Sequence, residues 1–270
     1  MSERPRDPDL ATEEFWRDFL TRGDAAERRV RGLLKRLPAN PRCVLCAAPF
    51  GGMGAPLMRM IGKRPSDKNP TMCTTCFDFM AKHRGGAEIE CSFLFADVRG
   101  STSMAERMTT TEFRGLLDRF YAIATSAVID HDGSIEKFVG DEVVATYFPL
   151  LSGERHAERA VETAEALLAA TGHRDAGGPW LPVGAGVHTG LAWVGAVGDA
   201  ARIELTVLGD TVNTTARLAA AAGVGEILVS AAAATASDLD PGLERRSLEL
   251  KGKAAATEVV VLRVGAPVPA

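Results

Sequence analysis

The sequence predicts an α+β protein, a β-sheet with helices packed on it, preceded by N-terminal helices and a small cysteine module. Three observations carry this prediction. From about residue 88 onward, apolar strand-like runs alternate with helical periodicity. Residues 11–37 repeat apolar side chains at helical spacing among many charges. Residues 43–76 hold two C-x-x-C pairs in a Gly- and Pro-rich stretch with little periodicity.

In the first segment, Phe15, Trp16, Phe19 and Leu20, then Val30, Leu33, Leu34 and Leu37, recur every three or four residues. Gly23 and Asp24 are expected to split the stretch into two helices, and Pro38 and Pro41 to end it. The cysteine stretch has too few apolar residues for a core of its own, so it needs a metal or a partner. Beyond it, IECSFLFADV is a strand, and Thr109-x-x-Glu112 is a capping box ahead of a long amphipathic helix through Val128. SIEKFVGDEVVATYF reads as two strands joined at Gly140-Asp141, a hairpin. A helix over 153–171, strands near 181–188, 191–197 and 203–208, and a helix over 211–222 follow. Strands near 226–229, 245–250 and 257–263 complete the pattern. The β-α-β-β-α-β order gives a ferredoxin-like sandwich with additional strands. The expected segments are 1–40 helical, 41–87 cysteine module and linker, 88–264 the main domain, and 265–270 a tail.

Composition bounds the function. The 270 residues carry 24% charged and 46% hydrophobic side chains, a globular balance rather than a disordered one. Net charge is −4. Residues 1–90 hold sixteen Lys/Arg against twelve Asp/Glu, and the rest fifteen against twenty-three. This mild excess, with few interleaved aromatics, argues against nucleic acid as a partner. Ala176–Gly198 is uncharged, but its seven glycines and two prolines read as strand–turn–strand rather than a membrane span. The polar N-terminus lacks the apolar core of a signal peptide, so a cytoplasmic location is expected.

Cys43, Cys46, Cys73 and Cys76 place twenty-six residues between the two pairs. Four such thiolates suit a tetrahedral Zn²⁺ site, with an iron–sulfur cluster or a redox dithiol as alternatives. The intervening basic stretch with Arg59, Lys63, Arg64 and Lys68 reads as solvated, and Cys91 as a buried, inert thiol. A change of metal or redox state in this module is expected to act on the strand that directly follows it.

Asp97 ends an apolar strand, and Asp141 stands at a hairpin tip. Either alone is ordinary turn chemistry. Adjacent strand ends bring two carboxylates together, and such a pair binds Mg²⁺ or Mn²⁺.

FLFADVRGSTSMAER, KFVGDEVVATYFP, GAGVHTGLAWVGAVG and LTVLGDTVNTTARLA occur in that order, and over residues 88–264 the chain resembles the catalytic domain of class III nucleotidyl cyclases. The resemblance implies a role for each of several residues. Asp97 and Asp141, with the Val98 carbonyl, hold two divalent ions. Asn213 orients the ribose, and Arg217 donates to the charge developing on the α-phosphorus. Lys137 and Thr206 read the purine, and Lys251 contacts the triphosphate, with Lys253 able to stand in for it. A Lys donor and a hydroxyl acceptor suit adenine N1 and N6, whereas guanine presents the reverse pattern, so the implied substrate is ATP. The implied reaction is attack of the ribose 3′-hydroxyl on the α-phosphorus, releasing pyrophosphate and cyclic AMP, at sites shared across a homodimer. A guanylate or mixed cyclase, and a non-catalytic cyclase-like interaction module, are the alternatives.

Overall fold

The computed structural model describes residues 12–22, 25–37, 41–198, 203–253 and 255–265. It contains two compact units. The smaller holds the chain up to Ile89 together with 149–151 and 192–208. The larger holds Glu90–Phe148, Ser152–Leu191 and the chain from Gly209 onward. Residues 192–208 therefore group with the N-terminal region, and not with the rest of the segment 88–264.

In the smaller unit, α1 (Glu13–Arg22) buries Trp16 and Leu20. α2 (Ala25–Lys35) follows; Gly23, Asp24 and Pro38 lie outside the described residues. Leu34 of α2 joins Cys43, Ala48, Phe50, Met58 and Cys73 in a small core. Arg42 ties the end of α2 to this core, donating to the carbonyls of Leu34 (2.9 Å), Lys35 (3.3 Å) and Ala47 (3.1 Å) and to that of Leu37. Helix-end carbonyls otherwise lack partners, and a cation there also suits the helix dipole. Two short helices follow, α3 (Ala55–Met60) and α4 (Thr74–Lys82). Phe15 and Phe19 pack on His83 and Phe79 of the α4 end, with ring centroids 5.0 and 4.9 Å apart.

The larger unit is built on a sheet. Strand β1 (Gly85–Val98) leads into α5 (Ser101–Arg107) and α6 (Thr110–Asp130). Gly100, at φ 72°, makes the turn after β1, and α5 starts directly after it. The Thr109–Glu112 capping box forms in full. The hairpin β2 (Ser134–Val139) and β3 (Glu142–Tyr147) is followed by α7 (Pro149–Ser152) and α8 (His156–Leu168), which ends in a wide turn over Ala169–His173.

Next comes β4 (Val183–Gly198), one strand of sixteen residues where the sequence predicts two. Gly190 takes no turn conformation. A Cβ there would lie 3.1 Å from the Thr211 hydroxyl, so the missing side chain makes room for a neighbour instead of a bend. The chain continues through β5 (Ile203–Leu208), α9 (Asp210–Ala221), β6 (Glu226–Ser230), α10 (Ala231–Ala236), β7 (Arg245–Leu248) and β8 (Thr257–Arg263). α10 is an addition to the elements expected from sequence.

The strand order is β2-β3-β1-β4-β6-β8-β7. Alternate residues of the central strands face opposite layers. Ile227, Val229, Val260 and Leu262 join Phe120, Ala124 and Val128 of α6 and Ala160, Ala164 and Leu167 of α8 in the main core. Leu228, Val259 and Val261 face the other way, onto Leu218 of α9 and Ala222 just past its end. Fully burying a side chain such as Phe120 or Leu167 stabilises by roughly 1.5–3 kcal/mol. In the smaller unit, β5 pairs with the end of β4, Gly195 opposite Thr206. A Cβ on Gly195 would fall 2.3 Å from the Gly85 carbonyl oxygen, so only glycine permits that backbone approach. Among the described residues no helix is long and apolar enough to cross a membrane.

Candidate active site

The antiparallel register of β1 and β3 sets Asp97 opposite Glu142, which places Asp141 one residue away at the hairpin turn. Gly140, at φ 61°, makes that turn, and the Tyr121 hydroxyl donates to its carbonyl. Tyr121 also stacks on Phe138, centroids 4.3 Å apart, so α6 braces the hairpin. The Asp97 and Asp141 carboxyls come within hydrogen-bonding reach of each other. Burial, then the Asp141 charge, pushes the Asp97 carboxyl above its ordinary value, against the pull of Arg99. Arg99 forms an ion pair with Asp97 and donates to the Ala220 carbonyl at 3.1 Å. Glu142, partly buried beside both aspartates, is pushed up to about 7 by burial and by their charges. Three crowded carboxylates balanced by one partly buried arginine are a fit donor set for hard divalent cations, whose charge would relieve the repulsion. Val98 is buried at the strand end beside Asp97.

A second cluster lies on α9. Asp210, Asn213 and Arg217 are three and four residues apart and share one face of the helix. Asn213 is exposed; Arg217 is partly buried, its Nη1 without a hydrogen-bond partner. The loop after β7 folds onto this face. Gly252, at φ 77°, lies against the Arg217 guanidinium, where a Cβ would come 3.3 Å from Nη2. Lys253 forms an ion pair with Asp210, and Lys251 is exposed. His188 lies nearby, its Nδ1 2.7 Å from the Ser230 hydroxyl. Burial first, and then the Lys253 charge, brings its imidazole down to about 4, so it is neutral at physiological pH.

Lys137 is exposed on β2 of the larger unit, 3.3 Å from Glu136. Thr206 is partly buried on β5 of the smaller unit.

The four cysteines of the smaller unit converge, with every Sγ within 4.8 Å of the others and Cys46 and Cys73 3.7 Å apart. All four are free thiols. Tetrahedral sulfurs around Zn²⁺, at about 2.3 Å each, stand about 3.8 Å apart, so the set fits such an ion. The Cys73 amide donates to Cys43 Sγ at 3.3 Å, and the Lys63 ammonium lies 3.7 Å from Cys46 Sγ. Hydrogen bonds from the other three thiols pull Cys46 far below its ordinary value, and the bond from Cys43 brings Cys73 to about 7. The opposite ends of these bonds hold Cys43 and Cys76 high. Cys91 is fully buried, and burial raises its thiol.

Sequence reasoning singled out Asp97 and Asp141 but not Arg99 or Glu142, although both flank them. The Asp210–Lys253 pair was also missed; its one signal was the helical stripe shared with Asn213 and Arg217.

Residues 87–263 match the family model described as the adenylate and guanylate cyclase catalytic domain. Adenylate cyclase 1 of Rhizobium meliloti is 35% identical over 134 residues, 48% of this chain and 20% of that protein. An adenylate cyclase of Anabaena cylindrica is 33% identical over 132 residues, 47% of this chain and 26% of its own length. The match thus spans 20–26% of the length of these relatives. Among solved structures, the guanylyl cyclase Cya2 aligns with TM-score 0.57 and 28% identity, covering 68% of this chain and 96% of its own. The adenylyl cyclase CyaB from P. aeruginosa aligns with TM-score 0.56 and 25% identity, covering 66% and 96%. The chain belongs to the adenylate and guanylate cyclase catalytic-domain family.

Proposed function

We propose that the chain is an adenylate cyclase that converts ATP to 3′,5′-cyclic AMP and pyrophosphate, working as a homodimer. The observation that carries this is the Asp97–Asp141 pair, two carboxylates brought together by strand register with Arg99 ion-paired to Asp97. Divalent ions held there, Mg²⁺ or Mn²⁺, would neutralise the triphosphate and acidify the ribose 3′-hydroxyl.

The remaining work falls to the chain's own residues. Asp97, Asp141 and the Val98 carbonyl hold the ions. Arg99 keeps Asp97 in place and pulls against the burial that raises its carboxyl. Asn213 orients the ribose, so that its 3′-oxygen stands in line with the α-phosphorus. That oxygen forms the new P–O bond as the bond to the β-phosphate oxygen breaks; the hydroxyl proton leaves to solvent and pyrophosphate departs. Arg217 donates to the α-phosphoryl oxygens as their charge develops, and Lys251 contacts the triphosphate. Lys137 and Thr206 read adenine. In this reading one subunit supplies the aspartates and the other the purine readers, Asn213 and Arg217, and a monomer is inactive. The four cysteines hold a structural Zn²⁺, and their module regulates the cyclase.

The second reading is a guanylate or mixed cyclase. It is favoured by a neutral threonine at 206, a weaker adenine reader than a carboxylate, and by the similarity to the guanylyl cyclase Cya2. One assay separates the two: cyclic nucleotide formation from ATP and from GTP, each in Mg²⁺ and in Mn²⁺. Cyclic AMP with little cyclic GMP supports the first reading. Comparable products support the second, and no product in any condition overturns both.

A further inference from the structure

The outer face of α3 is apolar where a surface helix is expected to be polar. Its inner face is accounted for, since Ala55 and Met58 are buried and Met58 packs in the cysteine core. Its outer face carries Leu57 (58% exposed) and Met60 (84%), and Met53 (87%) and Ile61 (57%) flank the helix at its two ends. Leu57 and Met60, three residues apart, share one face of the helix. Four large apolar side chains within nine residues, exposed together, mark an interaction surface rather than scattered surface apolars.

The base of this tip is rigid. The Lys63 amide bonds to the Met58 carbonyl at 2.8 Å, the Thr74 amide to the Arg64 carbonyl at 2.9 Å, and the Thr74 hydroxyl to the Gly62 carbonyl. Thr74 follows directly on Cys73, so the tip is braced from the thiolate cluster.

Along the tip's own segment, up to the exposed Asp67, the charge has one sign. Residues 51–66 contain Arg59, Lys63 and Arg64 and no Asp or Glu. Arg59 and Arg64 are exposed. A second copy seated face to face would bring these cations together, which disfavours a symmetric self-contact. Met53 and Met60 protrude almost fully, a shape that enters a soft medium more readily than it matches a flat protein surface. Apolar side chains flanked by cations satisfy both requirements of a lipid interface, acyl contact and attraction to anionic headgroups.

We propose that the Met53–Ile61 tip seats the chain on the surface of an anionic lipid bilayer, its apolar stripe in the acyl boundary and Arg59 and Arg64 at the headgroups.

The test is flotation of the full chain with vesicles of phosphatidylcholine alone and of phosphatidylcholine mixed with phosphatidylglycerol. The expected result is binding to the mixed vesicles about tenfold or more tighter than to the neutral ones, weakened by high salt. L57S/M60S and, separately, R59E/R64E should each cut binding to mixed vesicles about tenfold or more. Melting midpoint and metal content should stay at the parent values, because these side chains face solvent. Absence of vesicle binding overturns the proposal, as does equal binding to both compositions. Tight binding to poly-glutamate that L57S/M60S leaves unchanged, without vesicle binding, would assign the face to acidic proteins and also overturn it. So would a change of oligomeric state in L57S/M60S as its only effect.

Discussion

The sulfur cluster and the carboxylate cluster are two answers to one problem, how to gather like-charged ligands. The four sulfurs converge from the turn at Cys43–Cys46 and from the start of α4, two of them buried, with an amide donating to one and an ammonium beside another. The carboxylates converge from two strand ends, stay partly exposed, and lean on Arg99. The first set surrounds a point from all sides, as structural sites do. The second leaves one side open, as sites that receive a substrate must. The same contrast separates the folds around them. The sheet has a broad apolar core on both faces, whereas the cluster around the cysteines holds, among the described residues, six buried side chains, two of them its own ligands and one, Leu34, from α2.

The largest expected effect tests the open site. Asp141→Ala should lower cyclase turnover by about a thousandfold while the melting midpoint stays within a few degrees of the parent. The removed carboxylate was repelled by Asp97 and Glu142, so the sheet loses little. A variant that unfolds would break the contrast, making the pair structural. Cys73→Ser should do the reverse. Bound metal per chain should fall towards zero, and proteolysis should open residues 41–87 while the sheet's far-ultraviolet signal persists. Unchanged metal content would break the closed-site reading. Phe120→Ala, deep in the sheet core, should cost about 3–5 kcal/mol in urea unfolding without altering metal content.

The smallest effect concerns the sheet's own charges. Glu226, 14% exposed, is paired with Arg246 at 2.7 Å and Arg263 at 3.1 Å. The Arg246 bond, ahead of opposing burial, holds its carboxyl below the ordinary value. A depressed carboxyl stabilises the fold above its unfolded pKa, near 4.5, and loses that contribution as pH falls through the lower folded value. Glu226→Gln should therefore cost about 1 kcal/mol at pH 7 and almost nothing near pH 2, read from unfolding midpoints at the two pH values.

What was legible in the sequence was what local chemistry decides. The α6 cap announced itself because Thr109 and Glu112 need only each other. Asp97 and Asp141 were visible because a strand end and a hairpin tip mark themselves. The continuity of β4 was hidden, since Gly190 looks like a turn until Thr211, twenty-one residues on, occupies the space its side chain would fill. The Asp210–Lys253 pair was hidden for a similar reason, because forty-three residues separate its partners. Arg99 was within sight of Asp97, but its pairing depends on how the chain turns after β1. The apolar face of α3 fell inside a stretch read only for its cysteines and its charges.

The register between β2 and β3 shifts between Ile135 and Lys137, a one-residue bulge that holds Glu136 at 8% exposure and Lys137 at 54%. Side chains alternate along a strand, so the extra residue decides which way everything after it points. Substitutions can drift through this hairpin without disturbing that orientation. The loss of a single codon cannot, for it would turn Lys137 inward and Glu136 out of its pocket at one stroke. Over a lineage's history, the length of β2 is therefore expected to be more strictly kept than its letters.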